Sequence, residues 1–151
     1  MRRLWDILGK ILVIGGWPFL FFYLRTGKRT RLLLVADNSI LVVRGWLSSD
    51  GKWGLPGGGL HRGEDPAEGV CRELHEETGV RLTPSKLKPL GVFHTGRYGL
   101  NFTYYGFTAK LDQPLTPTIK GLEIAEARWV EISRLHKSNA APDVLDMLAR
   151  V

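Results

Sequence analysis

A short stretch of this chain leaves little freedom in how it can fold. Three successive glycines, Gly57, Gly58 and Gly59, lead through Gly63 and Glu64 to Asp65-Pro66, and a helix-compatible run then ends at Gly79. An aspartate in this place can accept hydrogen bonds from the free amides of a first helical turn. Proline suits the first helical position because the amide it lacks would be unpaired there anyway. Glycine readily takes the left-handed conformation that stops a helix. The spacing therefore predicts a helix from Pro66 to Thr78. Val70 and Leu74, with Ala67 and Cys71 beside them, give it an apolar stripe.

The same helix carries Glu73, Glu76 and Glu77. Spacings of three and four residues put all three on one face. Carboxylates so close repel one another, and a hard divalent cation relieves that conflict, because carboxylate oxygens are what Mg²⁺ and Mn²⁺ prefer. The plainer alternative is a solvated acidic face paired with Arg72 or with lysines. For these glutamates alone that alternative prevails. Their surroundings shift the balance. Glu64 sits in the glycine-rich loop, where glycine lets backbone approach a ligand closely, and Arg72 is placed to pair with Glu64 and fix the loop against the helix.

The stretch from Gly58 to Val80, GGLHRGEDPAEGVCRELHEETGV, resembles the Nudix box. The defined positions of that pattern fall on Gly58, Glu64, Arg72-Glu73-Leu74, Glu76-Glu77 and Gly79-Val80, and each matches. Trp53-Gly54-Leu55-Pro56 and the strand pattern extend the likeness over roughly residues 30–151. The resemblance implies an α/β fold: an α/β/α sandwich around a mixed sheet, with the box as a loop, helix and loop. It implies Mg²⁺, with Mn²⁺ as an alternative, held by Glu73 and Glu77 with Glu76 as a further ligand. Glu76 is also the candidate general base, and Arg72 and Glu64 take supporting catalytic positions. The reaction implied is hydrolysis of a diphosphate linkage, in a nucleoside diphosphate joined to another group or in a nucleoside triphosphate. The implied partner is a small nucleotide. The competing reading from a different class is a non-catalytic nucleotide-binding sensor module held at a membrane.

Outside the box the candidates are fewer. Some family members take another metal ligand or base from a loop before the last core strand, and Glu123 and Glu126 precede Trp129 here. Glu123 is the preferred one, since Glu126 can simply begin the strand. For substrate contacts, Gly58, Arg97 and Tyr98 are the candidates. Arg97 suits a phosphate, while Tyr98 or Trp46 suits stacking on a base. His94 and Tyr104 lie on the same strands, where aromatic side chains more often serve the core.

Around the box, Arg31–Ala36 and Ile40–Arg44 read as strands of a hairpin joined at Asp37-Asn38-Ser39. Leu87–His94, the aromatic and β-branched run Asn101–Leu111, and Ala127–Ile132 read as further strands, and Pro142–Arg150 as a closing helix. The expected organisation is a hydrophobic segment over residues 1–27, predicted to be helical, followed by one domain over residues 28–151.

Charge divides a few residues later, between 31 and 32. Residues 1–31 hold seven cations and one anion, which accounts for the whole net charge of +6. The other 14 cations and 14 anions cancel. A neutral body with a basic, apolar segment argues for a membrane surface and against specific nucleic-acid binding. Leu4–Leu24 contains Trp5, Trp17 and Tyr23, which favour membrane interfaces. Its charge-free part, Ile11–Leu24, has only 14 residues, short of the roughly 20 that a helical crossing needs. Residues 4–24 are thus expected to lie at a membrane surface, with the body on the cytoplasmic face or in the cytoplasm. The alternatives are an uncleaved signal-like segment, packing against the domain, or a homodimer contact. Cys71 is the only cysteine, which excludes an internal disulfide and a cysteine metal cluster.

Overall fold

The computed structural model describes residues 28–46, 50–97, 100–119 and 123–151, and for 95–97 and 100–102 the backbone alone. The hydrophobic segment over 1–27, with residues 4–24, lies outside the described residues, as do Tyr98 and the side chain of Arg97. Among the described residues no helix is long and apolar enough to cross a membrane.

The first strands are apolar because both faces of the sheet are covered. Strand β1 (Arg29–Ala36) and strand β2 (Ser39–Gly45) are nearly continuous hydrophobic runs, the pattern expected of strands enclosed between helical layers. Asp37, at a positive φ of 51°, turns the chain between them. Strands β3 (Lys88–Arg97), β4 (Leu100–Leu111) and β5 (Ile124–Glu131) complete a five-stranded sheet in the order β3-β4-β1-β2-β5. The β1–β4 pair is parallel and the other neighbours are antiparallel, so the sheet is mixed.

Alternate residues of β1 and β2 feed two separate cores. Leu32, Leu34 and Leu41 meet Val70 and Leu74 of helix α1 (Pro66–Thr78), together with Val80 and Ala109. Leu33, Ile40 and Val42 meet Val144 and Met147 of helix α2 (Pro142–Leu148), with Trp53, Phe93 and Tyr104. The result is the predicted α/β/α sandwich. The buried stripe of α1 runs along Gly69, Val70, Leu74 and Thr78, so Ala67 and Cys71 flank it and are half-buried.

The detail that places the site is a splay in the hairpin. β1 and β2 pair only at Val35–Ile40 and Ala36–Ser39. Past those rungs, residues 54–60 run in between. Leu32 donates to the Pro56 carbonyl and Thr30 to the Gly58 carbonyl, while Leu60 donates to Lys28, each at 2.9 Å. On the other side Gly54 and Val43 exchange both backbone bonds, again at 2.9 Å. The glycine loop is therefore held as a strand-like insert, its backbone paired to the rigid centre of the sheet.

Candidate active site

The start of α1 forms as the sequence predicts. The Asp65 carboxylate accepts from Ala67 at 2.8 Å and Glu68 at 3.2 Å, Pro66 follows it, and Gly79 closes the helix at a φ of 73°. These caps fix where the helix starts and stops, and its glutamate face lies against the glycine loop.

Arg72 ties that face together. Its Nε donates to Glu64 Oε1 at 2.8 Å and its Nη2 to Glu64 Oε2 at 3.0 Å, a two-point fork. Nη2 also donates to the Gly59 carbonyl at 3.0 Å, and Nη1 reaches Glu73 at 3.0 Å and Glu76 at 2.9 Å. Loop and helix are thus fastened by one guanidinium. Its hydrogen bonds to Glu64 hold that carboxyl at about 2, against the opposing effect of burial.

Glu77 stands apart from this arginine. Its Oε2 accepts from the Gly57 amide at 2.9 Å. Burial pushes the Glu77 carboxyl up to about 7, with Glu73 and Glu123 nearby adding to the rise, while the Gly57 amide and Arg31 pull the other way. Burial also raises Glu73, against the pull of Arg72. Glu76, by contrast, is exposed.

Two glycines are required for these contacts. Gly57 has a φ of 134°, and a Cβ built on it would lie 2.2 Å from the Thr30 carbonyl oxygen. A Cβ on Gly58 would lie 2.6 Å from the carboxyl carbon of Glu73. The absence of side chains lets the loop press onto β1 and onto the carboxylate.

Glu123 lies just before β5, and its carbonyl accepts from Trp46 at 3.1 Å, which holds it to the end of β2. Glu126 lies inside β5 and pairs with Arg44, as expected of a strand residue. Trp46 is 72% exposed. Tyr104 is core, stacked on Phe93 with ring centroids 5.2 Å apart. The structure therefore gathers Glu64, Arg72, Glu73, Glu76, Glu77 and Gly58 around one loop and helix face, with Glu123 within electrostatic reach of Glu77.

Sequence reasoning missed Arg31 and Asp143. The Arg31 guanidinium donates to the Gly57 carbonyl and pairs with Asp143 at 3.3 Å. The one available signal was a cation opening an otherwise apolar strand.

In chemical terms, the site offers hard carboxylate oxygens on one loop and helix face, of which Glu64, Glu73 and Glu76 pair with Arg72 and Glu77 accepts from the Gly57 amide. Glu77 is half-buried and has Arg31 as well as Glu73 and Glu123 within electrostatic reach. That donor set fits a hard divalent cation. Among the described residues no three His, Cys, Asp or Glu side chains are drawn together closely enough to cage an ion. Glu73 and Glu76 are instead turned onto Arg72. A groove of about 380 Å³ lined by Ser39, Trp53, Arg128 and Arg134 contains none of these carboxylates.

The chain is similar to several known proteins. An RNA pyrophosphohydrolase of Bartonella quintana is 57% identical over 56% of this chain and 59% of its own length. A nucleoside triphosphate pyrophosphatase/Nudix hydrolase fusion protein of Bifidobacterium longum is 31% identical over 58% of this chain and 18% of the fusion. The chain spans less than two thirds of the length of these curated relatives. The crystal structure of a MutT NUDIX hydrolase from Burkholderia pseudomallei superposes with a TM-score of 0.71 at 22% identity, over 83% of this chain and 97% of that one. At that identity the likeness is one of fold. The NUDIX domain family itself matches residues 26–151, across both helices and the whole sheet, and the chain belongs to that family.

Proposed function

We propose that this chain hydrolyses a phosphoanhydride bond in a nucleotide substrate, with a divalent cation held by Glu73 and Glu77 and completed by Glu76 and Glu123. The observation that carries this reading is the half-buried Glu77 carboxylate, held by the Gly57 amide on the same helix face as Glu73, with Glu123 within electrostatic reach. A partly buried anion in acidic company is costly unless a cation compensates it. A bound Mg²⁺ or Mn²⁺ would polarise the diphosphate and offset charge developing on its oxygens. The chain's own residues supply the rest. Arg72 and Glu64 hold the glycine loop against α1, so that Gly58 can lie beside the phosphates. Glu76, exposed on the same face, accepts the proton of the attacking water. Water adds to phosphorus, the bridging P–O bond breaks, and two phosphate-bearing fragments leave. Arg97 and Tyr98 remain proposed contacts to phosphate and base.

The relatives widen the choice of substrate. The Bartonella protein is named for RNA, and the Nudix domain of Shewanella oneidensis NrtR was crystallised with ADP-ribose. A panel in which the cleaved fragments are separated and identified, run with Mg²⁺ and with Mn²⁺, covers nucleoside triphosphates, ADP-ribose and 5′-triphosphate RNA. Glu77→Gln serves as the inactive control. We expect turnover that requires the metal and is lost in the variant. No product from any substrate, in a chain that still binds nucleotide, overturns the enzyme reading in favour of a binding module. Membrane attachment through residues 4–24 and a homodimer are separate proposals, tested by fractionation and by sedimentation.

A further inference from the structure

We propose that Arg31 and Asp143 are a positioning pair: from the far face of the sheet they hold the Gly57 peptide, and through it the Glu77 carboxylate, in place for the cation. This rests on the metal-site reading above. The chain of contacts is continuous. Asp143, in the first turn of α2, is buried and pairs with Arg31 Nε at 3.3 Å. Arg31, on β1, donates from Nη1 to the Gly57 carbonyl. The amide of the same residue, Gly57, donates to Glu77 at 2.9 Å. One loop residue is thus gripped on its oxygen by a guanidinium and grips a carboxylate with its nitrogen.

Packing alone does not account for the pair. Its side chains are 22% and 13% exposed, and both flank an apolar core containing Leu33, Val144 and Met147. Replacing a sequestered ion pair by apolar groups of similar volume is often neutral or stabilising. A pair kept there needs another use, and orienting the Gly57 peptide is one. Only arginine suits the task. Its planar fork presents Nε to Asp143 while Nη1 reaches the Gly57 carbonyl, whereas lysine is a single point charge. Groups that orient a metal ligand without touching the metal typically contribute about 10- to 100-fold to metal affinity or activity.

The test is Mn²⁺ affinity, measured by titration on the full chain, with thermal stability and Gly57 amide exchange followed alongside. Asp143→Asn and Arg31→Lys are expected to weaken Mn²⁺ binding about 10- to 100-fold and to speed exchange at Gly57, with Lys the milder of the two. The deciding variant is the double Arg31→Met/Asp143→Leu, which keeps the volume and removes both charges. A purely structural pair predicts that this variant recovers stability and metal affinity together. A positioning pair predicts recovered stability with affinity still reduced. Wild-type Mn²⁺ affinity in the folded double variant overturns the inference. A wild-type chain that binds no Mn²⁺ overturns the metal reading itself, and the two failures are thereby told apart.

Discussion

At the scale of single residues, the two glycines of the loop fail in different ways when altered. Gly57→Ala forces a side chain into a φ of 134° and against the Thr30 carbonyl oxygen, which belongs to the backbone of β1 and cannot move aside. The backbone conformation alone costs about 1–3 kcal/mol, so the melting temperature is expected to fall. In Gly58→Ala the obstacle is the end of the Glu73 side chain, which can swing away. Stability is expected to change by no more than about 1 kcal/mol, while metal affinity falls about 10- to 100-fold. Calorimetry and metal titration on both variants check the contrast, and equal losses of stability would contradict it.

Two of the perturbed glutamates, Glu64 and Glu77, act oppositely on stability. Glu64 is held at about 2, below its ordinary value of 4.5. Its contribution is present above the ordinary value and is lost as the pH falls towards 2. Glu77 is pushed up to about 7. The folded state then favours the protonated form, so this contribution is present below 4.5 and is lost as the pH rises through 7. In metal-free protein above pH 7, Glu77→Gln is therefore expected to raise the melting temperature, by about 2–4 °C for each kcal/mol gained. The same substitution is expected to abolish turnover. A melting temperature that falls at every pH would show that Glu77 is not under-compensated.

At the scale of elements, what could be read from sequence was whatever is written locally. The limits of α1 were visible because Asp65, Pro66 and Gly79 fix them by side-chain and backbone chemistry of their own. The Arg72–Glu64 contact was visible because both residues sit in one short motif. The hairpin was visible through its turn, though β5 begins at Ile124 and not at Ala127, and α2 ends at Leu148 and not at Arg150. The splay between β1 and β2 was not visible, since Trp53–Leu60 has neither a helical nor a strand period and its pairing depends on distant backbone. Arg31 and Asp143 were hidden for the same reason, as nothing local links strand β1 to the closing helix. The cap also gives a clean prediction. Asp65→Ala should cost about 1 kcal/mol of stability. It frays the turn at Ala67 and Glu68, which lies before Glu73, so turnover at a temperature where the variant is folded should be close to that of wild type. Turnover lost in proportion to stability would mean that the cap also orients the glutamate face.

At the scale of the whole molecule, the excess charge is shared: residues 1–27 carry four cations and one anion, +3 of the net +6, and the folded body carries the other +3. Both faces of the sheet are already covered by α1 and α2, with the two cores filled by residues from Leu32 to Met147. The folded body thus has its helical layers without residues 1–27. A chain lacking those residues is expected to keep its melting temperature within about 4 °C, the shift that 1 kcal/mol produces in a domain of this size. The deletion removes Arg2, Arg3, Lys10 and Arg25 with one anion, Asp6, together with Trp5 and Trp17. Each cation near an anionic surface contributes about 1 kcal/mol of attraction, which salt screens over a Debye length of about 8 Å at physiological strength. Full-length protein should therefore float with anionic vesicles, and less so as salt is added, while the shortened chain stays behind. Flotation that survives high salt and neutral lipid would assign the attachment to the apolar residues and not to the charge. Equal flotation of the two chains would remove residues 4–24 from any role at a membrane. Hydrolysis by the shortened chain, measured without lipid, is expected to match the full chain, because every carboxylate of the site lies within the folded body.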